Sequence, residues 1–504
     1  MCGLAGFFRN PETPQRDHHS RWLDAMGESI IHRGPDAGSS FLDDHIGMAH
    51  RRLSILDLSE AGNQPMASAS GRYVIAFNGE IYNFLELREN LEQQGLTFRT
   101  RTDTEVLLEL YEREGMACLE RLNGMFAIAI WDTQARELFL ARDRLGKKPL
   151  YYYQGKGGFA FASEIKALLR LPFLNTETRP DAVKDFFAYQ YIPDPKTIYK
   201  NVHKLEPGCW LKTDGRHVQS GQYWNLSFEP MAGRSLQQIE DGLYELIDDA
   251  VRLRMISDVP LGAFLSGGVD SSAVVGLMAR HASQPVTTCS IGFDSKKYDE
   301  VQFARQVAEL FRTDHHEFTV RENVASNLEA IARYFDEPFA DPSFVPTYFV
   351  SQLARQKVTV ALAGDGGDEN FAGYSKYHID AIENRLRRLF PGILRRNLFP
   401  LLASVSGRIP HSLTGKAQSL LGTLAQDPDT SFFNTNCFFR QSVWNDLVTG
   451  DLKRDTTDYD PAEITRQHYR NAPAEDHLSR ILYTDIKTYF CLLYTSDAAD
   501  EEDS

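Results

Sequence analysis

The segment LSGGVDSS, Leu265–Ser272, is the most informative stretch of this chain. It follows the apolar run Val259–Phe264 and leads into Ala273–Leu277, whose apolar residues predict a helix. A strand, a turn with two glycines and a helix N-terminus form a cradle for an anion, because glycine lets the backbone approach closely and the first helical N–H groups lack partners. The alternative is a serine-rich helix cap, in which Asp270 or Ser271 satisfies these N–H groups.

The loop lacks the lysine of the commonest phosphate-binding motif, G-x-x-x-x-G-K-[ST]. It resembles instead the pyrophosphate loop of ATP pyrophosphatases. These enzymes cleave ATP to AMP and pyrophosphate in order to activate a carboxylate or carbonyl oxygen. The resemblance implies that ATP is a substrate.

Strand and helix patterns alternate on both sides of the loop. A helix with apolar residues at helical spacing between Leu243 and Val251 comes first. The alternation predicts an α/β doubly wound parallel sheet, whose ligands bind at the carboxyl ends of the strands, where Leu265–Ser272 and AGDGGDE (Ala363–Glu369) both lie. The predicted strands are Val259–Leu265, Val286–Phe293, His316–Val320 and Val358–Ala363, and the predicted helices are Ser271–His281, Asp299–Phe311 and Asn323–Tyr334.

The first 165 residues show many short strand patterns and few helical ones. One helix is predicted at Thr104–Glu114, opened by the capping box Thr102-x-x-Glu105. We expect an α+β domain of layered, mostly antiparallel sheets at 2–165, a linker with some strand content at 166–235, and the α/β domain at 236–490. The predicted N-terminal strands are Gly3–Phe8, Gly47–Arg52, Tyr73–Phe77, Ala127–Trp131, Glu137–Ala141 and Phe159–Ala162.

Composition excludes several classes of protein. The chain has 504 residues, of which 42% are hydrophobic and 24% charged, as in ordinary globular proteins. A net charge of −15 argues against a nucleic-acid surface. No apolar run is long enough for a membrane helix, and no signal peptide is evident. Six scattered cysteines without a C-x-x-C pair favour a reduced, cytoplasmic protein.

Cys2 is a second candidate for chemistry. Removal of Met1, which is efficient before a small residue, would leave Cys2 with a free α-amino group beside its thiol. With a pKa of about 7.7–8.0, that amine can serve as the general base for the thiol. The alternative is a small buried side chain near the terminus.

A set of motifs places Cys2 in a family. In order along the chain, they closely resemble the class II glutamine amidotransferase domain, an N-terminal-nucleophile fold with αββα layers. Each piece is weak alone, but the set covers most of residues 2–165. The motifs are MCGLAGFF, HRGPD (His32–Asp36), HRRLSILDLS (His50–Ser59), FNGEIYN (Phe77–Asn83), RTDTE (Arg101–Glu105), RLNGMFAIAIWD (Arg121–Asp132) and ARDRLGKKPLYY (Ala141–Tyr152).

This resemblance implies a role for each matching residue. Cys2 would attack the side-chain amide of glutamine and release ammonia through a glutamyl thioester, with Asn78 and the Gly79 N–H as the oxyanion hole. Arg52 would bind the α-carboxylate of glutamine, and Glu80 and Asp103 its α-amino group. Arg33 would lie on a loop that closes over the substrate. Further glutamine contacts are implied at Leu53, Ser54, Ile55 and Leu56.

The order of the two domains narrows the resemblance to the glutamine-hydrolysing asparagine synthetases. DEPFADPS (Asp336–Ser343) and LAGDGGDENFAGY (Leu362–Tyr374) are also close to motifs of that family. The family's reaction implies that a carboxylate, aspartate in the type case, attacks the α-phosphorus of ATP, and that ammonia then displaces AMP from the acyl-adenylate. The implied substrates are glutamine, aspartate and ATP, and a homodimer is possible.

The family also implies the nucleotide contacts. Asp270 and Asp368 would hold Mg²⁺, because carboxylates repel phosphate and prefer a hard cation. The alternative for GDGGDE is an ordinary surface loop. The residues expected to contact ATP or pyrophosphate are Leu265, Ser266, Gly267, Gly268, Asp270, Ser271, Ser272, Ile291, Ala363, Gly364 and Asp365.

Two departures from the family pattern leave alternatives open. Ala363 and Asp365 stand where the family often has Ser and Glu, so the acceptor could be another carboxylate, such as a cell-envelope or secondary-metabolite precursor. After Asp485–Phe490 the family continues with a K-x-D-R helix, whereas this chain reads CLLYTSDAADEEDS. We interpret residues 491–504 as a translated sequencing adapter and the chain as C-terminally truncated. The alternative is an acidic, disordered tail. A truncated chain without synthetase activity is the third possibility.

Overall fold

The structure is a computed structural model that describes residues 2–9, 16–293, 301–320, 328–329, 331–406 and 412–490. Its first part contains two six-stranded sheets, in the orders β10-β8-β9-β1-β3-β2 and β12-β11-β7-β6-β5-β4, in which all paired strands are antiparallel. The strands are β1 Gly3–Phe8, β2 Ala37–Leu42, β3 Ile46–Arg52, β4 Met66–Ala67, β5 Tyr73–Ile81, β6 Gly124–Asp132, β7 Glu137–Arg142, β8 Tyr151–Gly155, β9 Gly158–Ala162, β10 Val202–Lys204, β11 Cys209–Thr213 and β12 Val218–Gln222.

The two sheets pack face to face between helices, which gives the expected αββα layers. Leu4 of β1 and Trp131 of β6 belong to the core between the sheets. On the outer face of the first sheet, Phe7 packs with Met26 of the helix Arg16–Ser29. The outer face of the second sheet packs against the helices Phe84–Gln93 and Asp103–Glu114. Side chains of β1 thus alternate between two hydrophobic cores, because successive side chains of a strand point to opposite faces of the sheet.

Two features of this part differ from the sequence analysis. The helices Arg16–Ser29 and Phe84–Gln93 were not predicted. The predicted capping box is only half formed: Thr102 Oγ1 accepts a hydrogen bond from the Glu105 N–H at 3.2 Å, but the Glu105 carboxylate accepts from the N–H groups of Arg99 and Thr100 instead. The Glu105 carboxylate also accepts a hydrogen bond from the Thr100 hydroxyl. The turn before the helix therefore takes up the carboxylate that a full capping box would need.

The sheets continue into the segment that we expected to be a linker. Strands β10, β11 and β12 all lie between residues 202 and 222. In the two sheets β10 pairs with β8, β11 pairs with β7, and β12 pairs with β11. The domain boundary near residue 165 stays a prediction. The short helices around this segment are Cys118–Arg121, Ile165–Leu168 and Pro180–Tyr189, with 3-10 turns at Ile31–Arg33, Glu60–Gly62 and Gly115–Ala117.

The second part is built on a parallel sheet, as predicted. Its four strands are β13 Leu261–Phe264, β14 Thr287–Phe293, β15 Asp314–Val320 and β16 Val360–Leu362. They pair in the order β15-β14-β13-β16, entirely in parallel. The strand order therefore reverses between β13 and β16, and such a switch point opens a crevice at the carboxyl ends of the strands. Both glycine-rich motifs follow these two strands.

Helices surround this sheet and make up the rest of the described chain. Val301–Phe311 confirms the described part of one predicted helix, whereas most of the predicted helix Asn323–Tyr334 and residues 491–504 lie outside the described residues. Among the residues the structure describes, no helix is long and apolar enough to cross a membrane. The helices are Leu236–Arg254, Val269–His281, Val301–Phe311, Phe344–Ala354, Gly367–Phe371, Ser375–Leu389, Gly392–Ser406, Ser412–Ala425, Pro428–Asn436, Gln441–Leu447, Gly450–Asp455, Ala462–Asn471 and His477–Asp485, with a π-turn at Ile486–Phe490.

Candidate active sites

Cys2 lies at one wall of a cavity, directly before β1. Its Sγ is 3.6 Å from the carbonyl oxygen of Leu53. The cavity brings together most of the residues expected to bind glutamine, but Ser54 and Asn78 are not among its lining residues. The lining residues are Cys2, Arg52, Leu53, Ile55, Leu56, Gly62, Gln64, Phe77, Gly79, Glu80, Thr102, Asp103 and Thr104.

The cavity disfavours negative charge. Burial raises the pKa of the Cys2 thiol, and the carboxylate of Asp103 raises it further, while the nearby Arg52 opposes the shift. Burial and the neighbouring Asp103 raise the pKa of Glu80 to about 8, and burial raises that of Asp103 to about 6. Cys2 therefore requires a base, and a cation in the cavity would be stabilised by the two carboxyls.

Asn78 has a buried amide with unused hydrogen-bonding capacity. Its side chain is fully buried on β5, and neither Oδ1 nor Nδ2 has a partner among the described residues. Such a group costs free energy unless a ligand satisfies it. The next residue, Gly79, lies so close to β6 that a Cβ atom there would collide with the carbonyl oxygen of Met125.

Arg52 is held by the loop that follows it. Its guanidinium donates to the carbonyl oxygens of Ser59 at 2.8 Å and Leu56 at 3.1 Å. It also donates to the Asp57 carbonyl and, at 3.0 Å, to Asn63 Oδ1. In this arrangement the terminal N–H groups of Arg52 shape the loop Leu53–Asn63, so binding of a carboxylate by both nitrogens stays a prediction.

Arg33 is not on a closing loop, and that expectation is wrong. Its side chain is 1% exposed. Its Nε donates to the Cys2 carbonyl oxygen at 3.1 Å, and its Nη1 lies 2.9 Å from Glu164 Oε1. Arg33 therefore holds the backbone of Cys2 from beneath, because the short turn Ile31–Arg33 directs it into the protein.

Gln64 is a cavity residue that sequence reasoning missed. Its Oε1 accepts the Phe77 N–H at 2.7 Å, and its Nε2 donates to Thr104 Oγ1 at 3.2 Å. It thereby ties β5 to the helix that carries Asp103. No spacing in the sequence marks Gln64, because its partners meet it only after the sheet and helix pack.

The second candidate site lies at the switch point of the parallel sheet. Gly268 is the N-cap of the helix Val269–His281, and no side chain caps this helix, contrary to the alternative interpretation of the loop. Gly267 has φ +84°, and a Cβ atom there would lie 2.6 Å from the Ala304 N–H nitrogen. Ser266 Oγ and Ser271 Oγ lie 3.0 Å apart and hold the turn. The first helical N–H groups are therefore left for a ligand.

The two glycine-rich motifs meet at this site. A Cβ atom on Gly364 would lie 2.7 Å from the carbonyl carbon of Asp270, and one on Gly367 would collide with the Asp270 carboxylate. Burial and the charge of Asp368 raise the pKa of Asp270. Two mutually repelling carboxyls fit a divalent cation, and Mg²⁺ is often held by one or two carboxylates plus substrate phosphates. Within the described ranges, no group of three or more His, Cys, Asp or Glu side chains could hold a metal ion.

The remaining nucleotide candidates lie on the same edge of the sheet. Leu265 is buried directly after β13, and its N–H donates to the Cys289 carbonyl at 2.9 Å. Ile291 lies near the carboxyl end of β14. Ala363 and Asp365 follow β16. Ser272 Oγ donates to the Gly268 carbonyl at 2.6 Å in the first turn of the helix.

Comparison with known proteins matches both parts of the chain to known families. Residues 1–224 match the glutamine amidotransferase domain model, and residues 242–498 match the asparagine synthase model. Asparagine synthetase [glutamine-hydrolyzing] 1 of Bacillus subtilis is 34% identical over 97% of this chain and 75% of its own length. The chain belongs to the glutamine-hydrolysing asparagine synthetase family. A putative asparagine synthetase [glutamine-hydrolyzing] 2 of Methanocaldococcus jannaschii is 38% identical over 91% of this chain and 90% of its own length.

We call residues 1–224 the amidotransferase region and residues 242–498 the synthase region. The Cys2 cavity lies in the first region and the switch-point site in the second. The second match reaches past Phe490, after which we expected the resemblance to be lost. The origin of residues 491–504 stays a prediction, and they lie outside the described residues.

Proposed function

We propose that this chain makes L-asparagine, L-glutamate, AMP and diphosphate from L-aspartate, L-glutamine, ATP and water. The observation that carries the proposal is the presence of two complementary sites on one chain. One is a cavity that joins an N-terminal cysteine to two carboxyls, and the other is an uncapped helix N-terminus beside a pair of aspartates. A carboxylate oxygen must be activated before ammonia can replace it. One site is therefore needed to release ammonia and the other to activate the carboxylate with ATP.

In the glutaminase half-reaction, after removal of Met1, Cys2 attacks the amide carbon of glutamine. Its thiol proton passes to its own α-amino group, which then gives the proton to the leaving nitrogen. The oxyanion is stabilised by the Gly79 N–H and the unpaired Asn78 amide. Glu80 and Asp103 hold the α-ammonium group, whose charge lowers the raised pKa values of both carboxyls. Ammonia leaves, and water then releases glutamate from the thioester.

In the synthetase half-reaction, a carboxylate oxygen of aspartate attacks the α-phosphorus of ATP and pyrophosphate leaves. Free N–H groups at the start of the helix Val269–His281 and the hydroxyls of Ser266 and Ser272 bind the pyrophosphate. Asp270 and Asp368 would hold Mg²⁺, which neutralises charge on the phosphates. Ammonia then attacks the acyl carbon of the adenylate and displaces AMP.

A cavity lined by residues of both regions supports passage of ammonia between the sites. It is lined by Arg33 and Glu164 of the amidotransferase region and by Asp336–Phe339 of the synthase region. Tyr191 lines both this cavity and a larger one that also contacts Asp341 and Tyr374.

The test separates the two half-reactions in purified protein. We expect Asp270→Asn to lower aspartate-dependent pyrophosphate release by at least about 10²-fold while glutaminase activity changes little. Cys2→Ala should do the opposite, with synthesis from added ammonia retained. Equal loss of both activities in either variant would refute the two-site assignment. If pyrophosphate release requires a carboxylate other than aspartate, that carboxylate is the acceptor and the product is its amide.

A further inference from the structure

A short stretch of the synthase region packs against the amidotransferase region. This docking segment, Arg254–Asp258, joins the helix Leu236–Arg254 to β13. The guanidinium carbon of Arg254 lies 4.2 Å from the centre of the Tyr82 ring. Ile256 packs on the hydrophobic cluster beneath the second sheet, as does Leu56 of the glutamine cavity. The segment therefore adjoins the cavity from outside the region that contains Cys2.

Asp258 forms two hydrogen bonds with the loop Leu53–Asn63. Its Oδ2 accepts the Asp57 N–H at 2.8 Å, and its own N–H donates to the Ile55 carbonyl oxygen at 3.0 Å. The loop supplies Leu53, Ile55, Leu56 and Gly62 to the cavity wall. Asp258 of the synthase region thus holds the middle of the loop through one accepted and one donated hydrogen bond.

Asp57 connects Asp258 to other residues around the cavity. It has φ +54°, a conformation that costs a non-glycine residue free energy and needs surrounding contacts to persist. Its carboxylate accepts the Arg101 N–H at 2.8 Å, next to the segment that leads to Asp103. Its carbonyl oxygen accepts from Arg52. The position of Asp57 therefore affects two of the residues expected to bind glutamine.

We propose that Asp258 is a positioning residue for glutamine: it holds the loop Leu53–Asn63 in its binding conformation from the synthase region. The inference rests on the proposed glutaminase function and deepens it. Because the docking segment continues through β13 into Leu265–Ser272, the glutamine cavity and the nucleotide loop share one structural support. The contact assigns part of the glutamine site to residues outside the amidotransferase region.

The test compares three variants of the full chain. Asp258→Ala removes the side-chain acceptor, and we expect the KM for glutamine to rise about 5- to 30-fold, as for the loss of one hydrogen bond to a charged group. Asp258→Asn keeps an oxygen acceptor and should stay within about threefold of the parent KM. Asp249→Ala is the matched control, because this exposed aspartate pairs only locally with Arg252, at 2.6 Å. The control should leave the KM for glutamine unchanged.

Two further measurements distinguish positioning from general damage. Synthesis from added ammonia should be unchanged in Asp258→Ala, and Cys2 should react more slowly with a glutamine analogue that carries an electrophile. An unaltered KM for glutamine, or a parallel loss of ammonia-dependent synthesis, would overturn the inference. Absence of glutaminase activity in the parent protein would instead refute the proposed function itself.

Discussion

At the scale of single residues, the Cys2 cavity buries two carboxyl groups and disfavours their ionisation. Burial and the neighbouring Asp103 raise the pKa of Glu80 to about 8, and burial raises the pKa of Asp103 to about 6. Enclosed carboxyls of this kind are common where a charged ligand binds. The family resemblance predicted Glu80 and Asp103 as glutamine ligands, but their shifted pKa values arise only when β5 and the helix Asp103–Glu114 meet.

We expect Glu80→Gln to stabilise the protein at pH 8 and to have little effect near pH 4. The pKa of Glu80 is about 8 in the folded state against 4.5 for a free side chain, so the folded state holds a proton that the unfolded state releases between these values. Stability of the parent protein therefore falls as pH rises through this window, and the amide removes that loss. Thermal unfolding at several pH values measures it, with the exposed Glu89→Gln as control. A Tm difference that does not depend on pH would contradict the assignment.

At the scale of elements, close contact between two glycine-rich turns defines the proposed nucleotide site. Apolar runs and glycine pairs predicted the strands before them and the helix after the first turn, because these signals are local. No local signal predicts that Gly364 lies against the backbone of Asp270. That contact depends on β13 and β16 being neighbours, which is a property of sheet order.

We expect Gly364→Ala to lower pyrophosphate release by about 10²-fold, because the added methyl group would separate the two turns and misplace the phosphate donors. Glutaminase activity should be retained. Gly242→Ala is the control: it lies in the helix Leu236–Arg254 with open space around it, and alanine should stabilise that helix by about 0.5–1 kcal/mol. Assays of both half-reactions and Tm measure these effects. Full activity of Gly364→Ala would show that the turns can separate without cost.

At the scale of the whole molecule, buried ion pairs join the two regions. Lys204 of β10 is 4% exposed, and its Nζ lies 2.5 Å from Glu337 Oε1 and 2.6 Å from the Ile192 carbonyl oxygen. Lys166 lies near both Glu164 and Asp336, at 2.8 and 3.5 Å. Such pairs contribute little net stability when formed, but breaking one leaves an unpaired buried charge.

We expect Lys204→Met to destabilise the protein by about 3 kcal/mol, because Glu337 would remain buried without its cation. Lys200→Met should cost no more than about 1 kcal/mol, since Lys200 and Glu177 form an exposed pair. Urea unfolding of both variants measures the difference. Similar values for the two would show that the Lys204 pair is not important for joining the regions.

By itself the sequence determined the two kinds of site. Cys2, the motifs around Asn78 and Asp103, and the loop Leu265–Ser272 are contiguous patterns, and their backbone requirements are local. The alternation of strands and helices likewise determined the parallel sheet. Tertiary structure alone decided the burial of Arg33 under Cys2, the bond from Gln64 to Phe77 and the hydrogen bond between Asp57 and Asp258. These contacts join residues far apart along the chain, so they depend on how the sheets and the docking segment pack, which no local pattern encodes.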